Sequence, residues 1–266
     1  MDFDYIIVGG GSAGCVLANR LSAQPANRVL LCEAGPDVLP DKVPPELADS
    51  YAGAVYADPN YHWTGLTATT ELISHNQDPG TPPPRSRKYI QARVLGGGSS
   101  INAQMANRGA PADYDEWERL GAAGWGWDAV LPYFKRVETD EDFDGPLHGK
   151  DGPIPIRRVP RDLWNGFSEA AAASFAEAGF EFVEDQNGAF RDGHFPIAIN
   201  NIEETRVSTA VGYLTAEVRA RDNLRILTGS PVRRLVFDGR RCTGIDVLVK
   251  GAPQEIRGHE VIVTSG

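Results

Sequence analysis

Residues 5–21 read YIIVGGGSAGCVLANRL, an apolar run followed by three consecutive glycines and then a helical pattern. The apolar run is typical of a parallel strand that is buried on both faces. In the helical part, Val16, Leu17 and Leu21 share one apolar stripe, and turn residues end the helix soon afterwards. A second apolar run covers residues 28–32. The stretch therefore predicts a β-α-β unit whose first turn is rich in glycine.

The glycines of this turn match the pattern G-x-G-x-x-G, which binds the pyrophosphate of a dinucleotide. Gly9 permits the tight turn, Gly11 lets the pyrophosphate approach the backbone, and Gly14 lets helix and strand pack closely. Free N–H groups at the helix N-terminus then face the phosphates. Glu33 ends the second strand, 33 − 14 = 19 residues after the last glycine, and its carboxylate can accept hydrogen bonds from a ribose. The pattern predicts dinucleotide binding and leaves NAD and FAD both open.

Composition excludes several classes of partner. The chain has 266 residues and a net charge of −10, which disfavours binding to nucleic acid or to anionic lipid. The sequence has neither an apolar run of the roughly 18 residues that a membrane span requires nor a signal peptide, so we expect a cytoplasmic protein without a membrane partner. Cys15, Cys32 and Cys242 are widely spaced, which favours small buried hydrophobic residues over a disulfide framework or a zinc site. We expect no metal.

A second glycine cluster lies within residues 92–117, ARVLGGGSSINAQMANRGAPADYDEW. This stretch resembles the first signature of the glucose–methanol–choline (GMC) family of FAD oxidoreductases. The matching positions are Ala92, Arg93, Leu95, Gly96, Gly97, Gly98, Ser99, Ile101, Asn102, Ala106, Gly109 and Asp115. The segments GWGWDAVLPYFKRVE (124–138), HGKDGPIPI (148–156) and STAVGYL (208–214) are also similar to the family. Within it, the chain is most similar to the bacterial branch that contains 5-(hydroxymethyl)furfural oxidase, pyridoxine 4-oxidase and choline dehydrogenase.

The resemblance implies an α/β fold, with a Rossmann-like FAD-binding domain interwoven with an α+β substrate-binding domain. We expect the first FAD-binding segment in residues 1–125, the start of the substrate domain in 126–199 and a second FAD-binding segment in 200–266. The cofactor contacts that the resemblance implies, beyond the glycines above, are Ser12, Ala13, Glu33, Ala34, Trp63, Arg93, Leu95, Gly97, Gly98, Asn102, Ala103, Gln104, Met105 and Val232. Some family members attach FAD through a histidine where this chain has Ile101. We therefore expect non-covalent FAD.

The reaction that the resemblance implies is oxidation of a primary alcohol, aromatic or furanic, by hydride transfer to the flavin, with dioxygen or another electron acceptor. Family members use a histidine base paired with a histidine or asparagine, both expected beyond Gly266, so we assign no catalytic residue within this span. We expect His62, His75, His148, His194 and His259 to be polar loop or surface residues. Three alternatives stay open: a lyase of the hydroxynitrile lyase type, a choline-type dehydrogenase, and a flavin-binding fragment without activity of its own.

Local patterns predict the remaining organisation. We expect helices over residues 163–178 and from Ser208 or Thr209 to near Arg221, and strands over 224–228, 232–237 and 244–250, with a turn at Asp238–Gly239. The proline-rich segment 79–88 is predicted to be irregular. Residues 259–266, HEVIVTSG, predict a buried strand at the end of the chain. We therefore expect the N-terminal part of a longer protein, with its C-terminal portion as a partner.

Overall fold

The computed structural model describes residues 3–69 and 85–266. Within these residues the strands are β1 (Phe3–Val8), β2 (Val29–Cys32), β3 (Thr67–Thr69), β4 (Ser86–Lys88), β5 (Glu138–Asp140), β6 (Ile154–Arg158), β7 (Ala198–Ile199), β8 (Asn201–Ile202), β9 (Thr205–Arg206), β10 (Leu224–Leu227), β11 (Val232–Asp238), β12 (Arg241–Val249) and β13 (Ala252–Val263). The α-helices are α1 (Ser12–Ser22), α2 (Pro45–Ala48), α3 (Gly53–Ala57), α4 (Pro111–Arg119), α5 (Trp127–Val137), α6 (Gly166–Glu177), α7 (Gln186–Ala189), α8 (Thr209–Tyr213) and α9 (Ala216–Arg219).

The chain divides into two compact units. The first unit consists of Met1–Leu47, Tyr51–Ile101 and Thr209–Gly266, and the second of Ala48–Ser50 and Asn102–Ser208. These boundaries differ from the predicted 125/126 and 199/200, because the backbone after residue 102 pairs with residues 198–200: the Ala106 N–H donates to the Ala198 carbonyl at 2.8 Å. The assignment of flavin and substrate binding to particular segments stays a prediction.

The first unit contains a six-stranded sheet in the order β10-β2-β1-β13-β12-β11. Strands β10, β2 and β1 are parallel, and β13 pairs parallel with β1 from Gly258 to Val263. The central strands are apolar on both faces: Ile6, Ile7, Leu30 and Leu31 are all fully buried. The predicted β-α-β unit is confirmed, and its parallel sheet places the carboxyl ends of β1 and β2 side by side, next to the glycine turn.

Strand β13 has two partners along its length. Its first half pairs antiparallel with β12, and its second half turns to pair parallel with β1. The strand predicted at 259–266 therefore begins earlier, at Ala252, and ends at Val263. The prediction that it is buried is wrong, since every residue from 259 to 263 is exposed or half-buried. The predicted turn is confirmed, because Asp238 pairs with Arg241 in the β11–β12 hairpin and Gly239 has a φ of +58°.

The second unit is built from a small sheet and helices. Its sheet has the order β5-β6-β7, parallel between β5 and β6 and antiparallel between β6 and β7. Helices α4 and α5 pack through an aromatic cluster in which Tyr114 lies 5.6 Å from Phe134 between ring centroids. Strands β8 and β9 form a short hairpin.

Two predicted helices are wrong in their bounds. The helix predicted over residues 163–178 begins at Gly166, because Asn165 caps it by accepting from the Ser168 N–H, and residues 161–163 form a separate 3-10 turn. The helix predicted from residue 208 or 209 to 221 is two short helices, because Thr215 caps a new start at Ala216.

Part of the proline-rich segment predicted to be irregular lies outside the described residues. For the described residues Ser86–Lys88 the prediction of irregular structure is wrong, because they form a strand that pairs antiparallel with Thr67–Thr69. Among the described helices, none is long and apolar enough to cross a membrane.

Candidate dinucleotide site

The glycine turn after β1 is held by contacts that exclude side chains at two positions. A Cβ atom on Gly14 would lie 2.0 Å from the Gly9 carbonyl oxygen, and one on Gly9, whose φ is +106°, would lie 2.7 Å from Ser265 Cα. By contrast, a Cβ on Gly11 would meet its first neighbour, the Thr264 oxygen, at 3.9 Å. Packing therefore requires Gly9 and Gly14, whereas the small size of Gly11 leaves open space beside the backbone.

Helix α1 starts at this turn without a side-chain cap. Its N-cap residue is Gly11, and no acidic residue lies in its first turn. The first N–H groups of a helix have no partner within the helix, and together with the helix dipole they favour an anion. Ser12 and Ala13, the first two residues of α1, are exposed. The start of α1 thus has the free donors and the dipole that a pyrophosphate requires, and its role as the binding site stays a prediction.

The two glycine clusters lie against each other. The Gly96 N–H donates to the Gly10 carbonyl at 2.7 Å, and a Cβ on Gly97 would lie 2.7 Å from Gly11 Cα. A Cβ on Gly98 would meet nothing within 4 Å. The second cluster thus packs on the first through Gly97 and leaves Gly98 exposed beside it.

Glu33 lies at the end of β2 and is only 8% exposed. Its two carboxylate oxygens accept the Gly10 and Gly35 N–H groups, each at 2.8 Å. Burial raises the pKa of Glu33, and the hydrogen bonds from the Gly35 and Gly10 N–H groups oppose that rise. Since a carboxylate has about four acceptor positions, these two bonds leave capacity for ribose hydroxyls.

The sequence pattern did not single out Gly10 and Gly35. A Cβ on Gly35 would lie 2.1 Å from the Arg93 carbonyl oxygen, and one on Gly10 would lie 2.5 Å from Leu95 Cδ1. Both glycines therefore let the second cluster approach Glu33. The signal for Gly35 was present as the tripeptide Glu-Ala-Gly that directly follows β2.

The backbone before Val232 is fixed to the same strand end. The Ser230 N–H donates to the Glu33 carbonyl at 2.8 Å, and the Gly229 N–H donates to the Gly35 carbonyl at 2.7 Å. Val232 itself packs on the core cluster of the sheet. Its side chain is structural, so a ligand beside this segment would meet the main chain. Ala34, between Glu33 and Gly35, is half-buried.

Trp63 and Arg93 lie on paired segments of the first unit. His62 and Ala92 form a bridge, and the Arg93 guanidinium carbon lies 5.4 Å from the centre of the Trp63 ring. Trp63 is 39% exposed. Leu95, two residues further, is fully buried, and its backbone is engaged as well: its N–H donates to the Pro36 carbonyl at 3.0 Å, and its carbonyl accepts the Ser100 hydroxyl at 2.8 Å.

The segment 102–105 belongs to the second unit. Asn102, Ala103 and Met105 are exposed, whereas Gln104 is buried and has a φ of +63°. The Gln104 side chain donates to the Ser50 carbonyl at 2.9 Å and accepts from Asn201 at 3.1 Å. Both polar atoms of the Gln104 side-chain amide are therefore hydrogen-bonded within the second unit.

A buried ionic network crosses the second unit. Arg158 Nη1 donates to both carboxylate oxygens of Asp140, at 2.5 and 2.6 Å, and Arg108 pairs with Glu138. Oxygens of Glu138 and Asp140 and a nitrogen of His148 lie within 4.8 Å of one another, which is a set of metal-ligand types. Two guanidinium groups already neutralise these carboxylates, so we assign the group as an ion-pair network.

Two histidines differ from the sequence prediction. His148 is buried, with Nδ1 2.9 Å from Asp140 and Nε2 2.9 Å from Asp185. His62 is also buried, with Nε2 2.7 Å from the Val55 carbonyl. The prediction of surface positions is wrong for both, because each ring is buried with its Nε2 hydrogen-bonded to a tertiary partner, while its Nδ1 has no hydrogen-bond partner among the described residues. His148 does lie in a loop, as predicted. His75 lies outside the described residues.

The cysteines behave as the spacing predicts. Cys15 and Cys32 are buried, and burial raises the pKa of each thiol to about 12. Thiols that remain protonated are poor nucleophiles and poor metal ligands. The prediction of small buried hydrophobic residues is confirmed for these two, while Cys242 is half-buried.

The described geometry can be compared with known proteins. The model of the GMC oxidoreductase family matches residues 3–266. The chain belongs to this family. GMC oxidoreductases are FAD-binding flavoproteins. The predicted family membership and α/β fold are thus confirmed.

The relatives of this GMC chain include several oxidoreductases. It is 47% identical to 5-(hydroxymethyl)furfural oxidase from Methylovorus sp. (strain MP688), over 99% of this chain and 49% of that protein. It is 33% identical to human mitochondrial choline dehydrogenase, over 100% of this chain and 43% of that protein. The crystal structure of pyridoxine 4-oxidase from Mesorbium loti matches with a TM-score of 0.86 and 33% identity, over 100% of this chain and 50% of that chain. The chain spans about half the length of the curated relatives it matches.

Proposed function

We propose that this chain is the FAD-binding part of an oxidoreductase that converts a primary alcohol, aromatic or furanic in type, to the aldehyde. The observation that carries the proposal is the uncapped start of α1 beside the two glycine clusters, with the buried Glu33 carboxylate at the neighbouring strand end. The 47% identity to a furfural-type alcohol oxidase supports the substrate class. Bound FAD supplies a ring that accepts hydride from the alcohol carbon.

The residues of the chain fit the polar parts of FAD. The N–H groups of Ser12 and Ala13 would bind the pyrophosphate, the Glu33 carboxylate and Ala34 would contact the ribose, and the backbone at Val232 would contact the adenine. The other proposed contacts are Gly9, Gly11, Gly14, Trp63, Arg93, Leu95, Gly97, Gly98, Asn102, Ala103, Gln104 and Met105. Ile101 is aliphatic and only 5% exposed, which supports non-covalent binding.

The proton acceptor is proposed to lie outside this chain. His62 and His148 are engaged by buried partners, which argues against either as a free base. We propose that the base lies in a C-terminal portion of the protein, which corresponds to the part of the longer relatives that this chain does not cover. Dioxygen, or another acceptor as in a choline-type dehydrogenase, would reoxidise the flavin.

Anaerobic titration tests the proposed reaction. The 266-residue chain is loaded with FAD, combined with a polypeptide carrying the second half of its own full-length protein, and titrated with benzyl alcohol or 5-(hydroxymethyl)furfural while the visible spectrum is recorded. We expect the visible absorbance of the oxidised flavin to bleach as the ring is reduced. Bound flavin that stays oxidised with every alcohol would favour the lyase. Protein that stays colourless with excess FAD would contradict the whole proposal. Oxygen consumption after bleaching separates an oxidase from a dehydrogenase.

A substitution at Glu33 tests the ribose contact. Glu33→Gln turns one acceptor oxygen into an NH₂ group that faces the N–H of Gly10 or Gly35. Because hydrogen bonds to a charged group contribute about 1.5–3 kcal/mol, we expect FAD affinity to fall by about 10–100-fold in a fluorescence-quenching titration. The matched control is Glu255→Gln, an exposed glutamate on β13 that pairs with Arg257. Equal affinity in both variants would remove Glu33 from the site.

A further inference from the structure

The segment 102–105 has a conformation that requires support. Gln104 is a non-glycine residue in the left-handed region, at φ +63°, and its side chain is 1% exposed. Left-handed backbone is unfavourable for an ordinary residue, because its Cβ comes too close to the following carbonyl oxygen. This turn puts Gln104 inside the second unit while its neighbours Ala103 and Met105 stay exposed, Met105 by 54%. The surrounding contacts must therefore hold the turn.

Arg206 supplies one of these contacts. It ends β9 and is one of the largest fully buried side chains described, at 2% exposure. Its Nη1 donates to the Asn102 carbonyl at 2.6 Å and to the Asn102 side-chain oxygen at 2.8 Å. Asn102 Oδ1 also accepts the Gln104 N–H at 3.1 Å. One guanidinium nitrogen thus fixes both the backbone and the side chain of the residue that begins the turn.

The other end of the turn is fixed by the same hairpin. Asn201, at the start of β8, donates to Gln104 Oε1, and the Asn200 N–H donates to the Gln104 carbonyl at 3.0 Å. Strands β8 and β9 pair Asn201 with Arg206 directly. A single hairpin therefore holds Asn102 through Arg206 and Gln104 through Asn201.

We propose that Arg206 is a positioning residue for the segment 102–105, holding Asn102 so that Gln104 stays turned inward and Met105 stays turned outward. The proposal rests on the proposed function for the claim that this segment lies along the flavin ring. Arg206 would then act on the flavin environment through Asn102, without touching the cofactor itself. Nothing in the sequence pattern singled out Arg206 or Asn201 for this role.

The test combines a local backbone measurement with a cofactor signal. In Arg206→Met we expect amide hydrogen exchange at Gln104 and Asn200 to accelerate at least about tenfold, while the Ile156 amide in β6 keeps its rate. The visible circular dichroism of added FAD should change, since it reports the surroundings of the ring. Arg206→Lys, which keeps a donor in reach of Asn102, should restore part of both signals. The control is Arg191→Met, whose partner Glu181 is exposed.

A second variant covers the case in which Arg206→Met does not fold. Asn102→Ala removes the side-chain oxygen that accepts from both Arg206 and the Gln104 N–H, at an exposed position that the fold should tolerate, and the Asn200 amide should again exchange faster. Unchanged exchange at Asn200 in Asn102→Ala overturns the proposal, as does an acceleration in Arg206→Met that spreads evenly through the second unit. Wild-type protein that binds no FAD refutes the proposed function instead, because the exchange measurement needs no flavin.

Discussion

Gly14→Ala should abolish FAD binding and destabilise the first unit, whereas Gly11→Ala should weaken FAD binding in a protein that is as stable as the wild type. The Gly14 Cβ would lie 2.0 Å from a backbone oxygen, which no rotamer can relieve, so we expect the free energy of unfolding to fall by about 3 kcal/mol. The Gly11 Cβ has ordinary contacts, and Gly11 has a φ of −74° that alanine adopts freely.

The two variants separate folding from binding. For Gly11→Ala we expect the free energy of unfolding to stay within about 0.5 kcal/mol of wild type and FAD affinity to fall by at least about tenfold, since the methyl group would occupy space proposed for the pyrophosphate. Urea unfolding and flavin-fluorescence titration measure the two quantities. Gly166→Ala, with nothing within 4 Å of its Cβ, is the control. Wild-type affinity in Gly11→Ala would show that no phosphate approaches there.

Arg158→Met should unfold the second unit or lower its free energy of unfolding by about 3–5 kcal/mol. Asp140 is fully buried, and Arg158 donates to both of its oxygens and to Asp185. Removing one partner of a buried pair leaves an uncompensated charge, which explains the large expected loss. Urea unfolding followed by tryptophan fluorescence measures it. The control is Arg119→Met, whose pair with Glu116 is exposed and worth at most about 1 kcal/mol.

The same network predicts that the stability of the second unit depends on pH in the acid range. Burial alone would raise the pKa of Asp140, but the Arg158 guanidinium and the N–H groups of Phe143 and Asp142 outweigh it and lower that pKa below 3.8. A lowered carboxyl pKa contributes stability above its unfolded value that is lost as pH falls through the folded value. We therefore expect the second unit to lose stability below about pH 3.8, with a smaller loss in Arg158→Met. Parallel pH profiles in the two proteins would contradict the assignment.

The sequence predicted the first unit better than the second. Tyr5–Val8 and residues 28–32 are continuous apolar runs, and a run buried on both faces has few alternatives to a central parallel strand. The second unit was less predictable, since its boundary at residue 102 depends on pairing with residues 198–200, almost a hundred positions away. Thr215 broke a predicted helix because a capping hydroxyl competes locally with helix continuation.

The environment of individual side chains was also less predictable from the sequence than the elements that carry them. The resemblance grouped Leu95 and Gln104 with the other cofactor contacts, yet both side chains are buried, and only tertiary packing could reveal this. No motif marked His148 as a buried residue, and its three carboxylate neighbours, Glu138, Asp140 and Asp185, lie 10, 8 and 37 positions away along the chain. Gly35 becomes necessary only where Arg93 crosses it.

The sequence by itself determined the β-α-β unit, the glycine positions, the acid at the end of β2 and the family, because each depends on residues close together in the chain. The tertiary structure alone decided that the two glycine clusters meet, that arginines neutralise the buried carboxylates of the second unit, and that Arg206 holds the turn at Gln104. These features depend on the packing of segments that are distant in the chain. Contacts of this kind produce no local pattern in the sequence, so the sequence alone could not predict them.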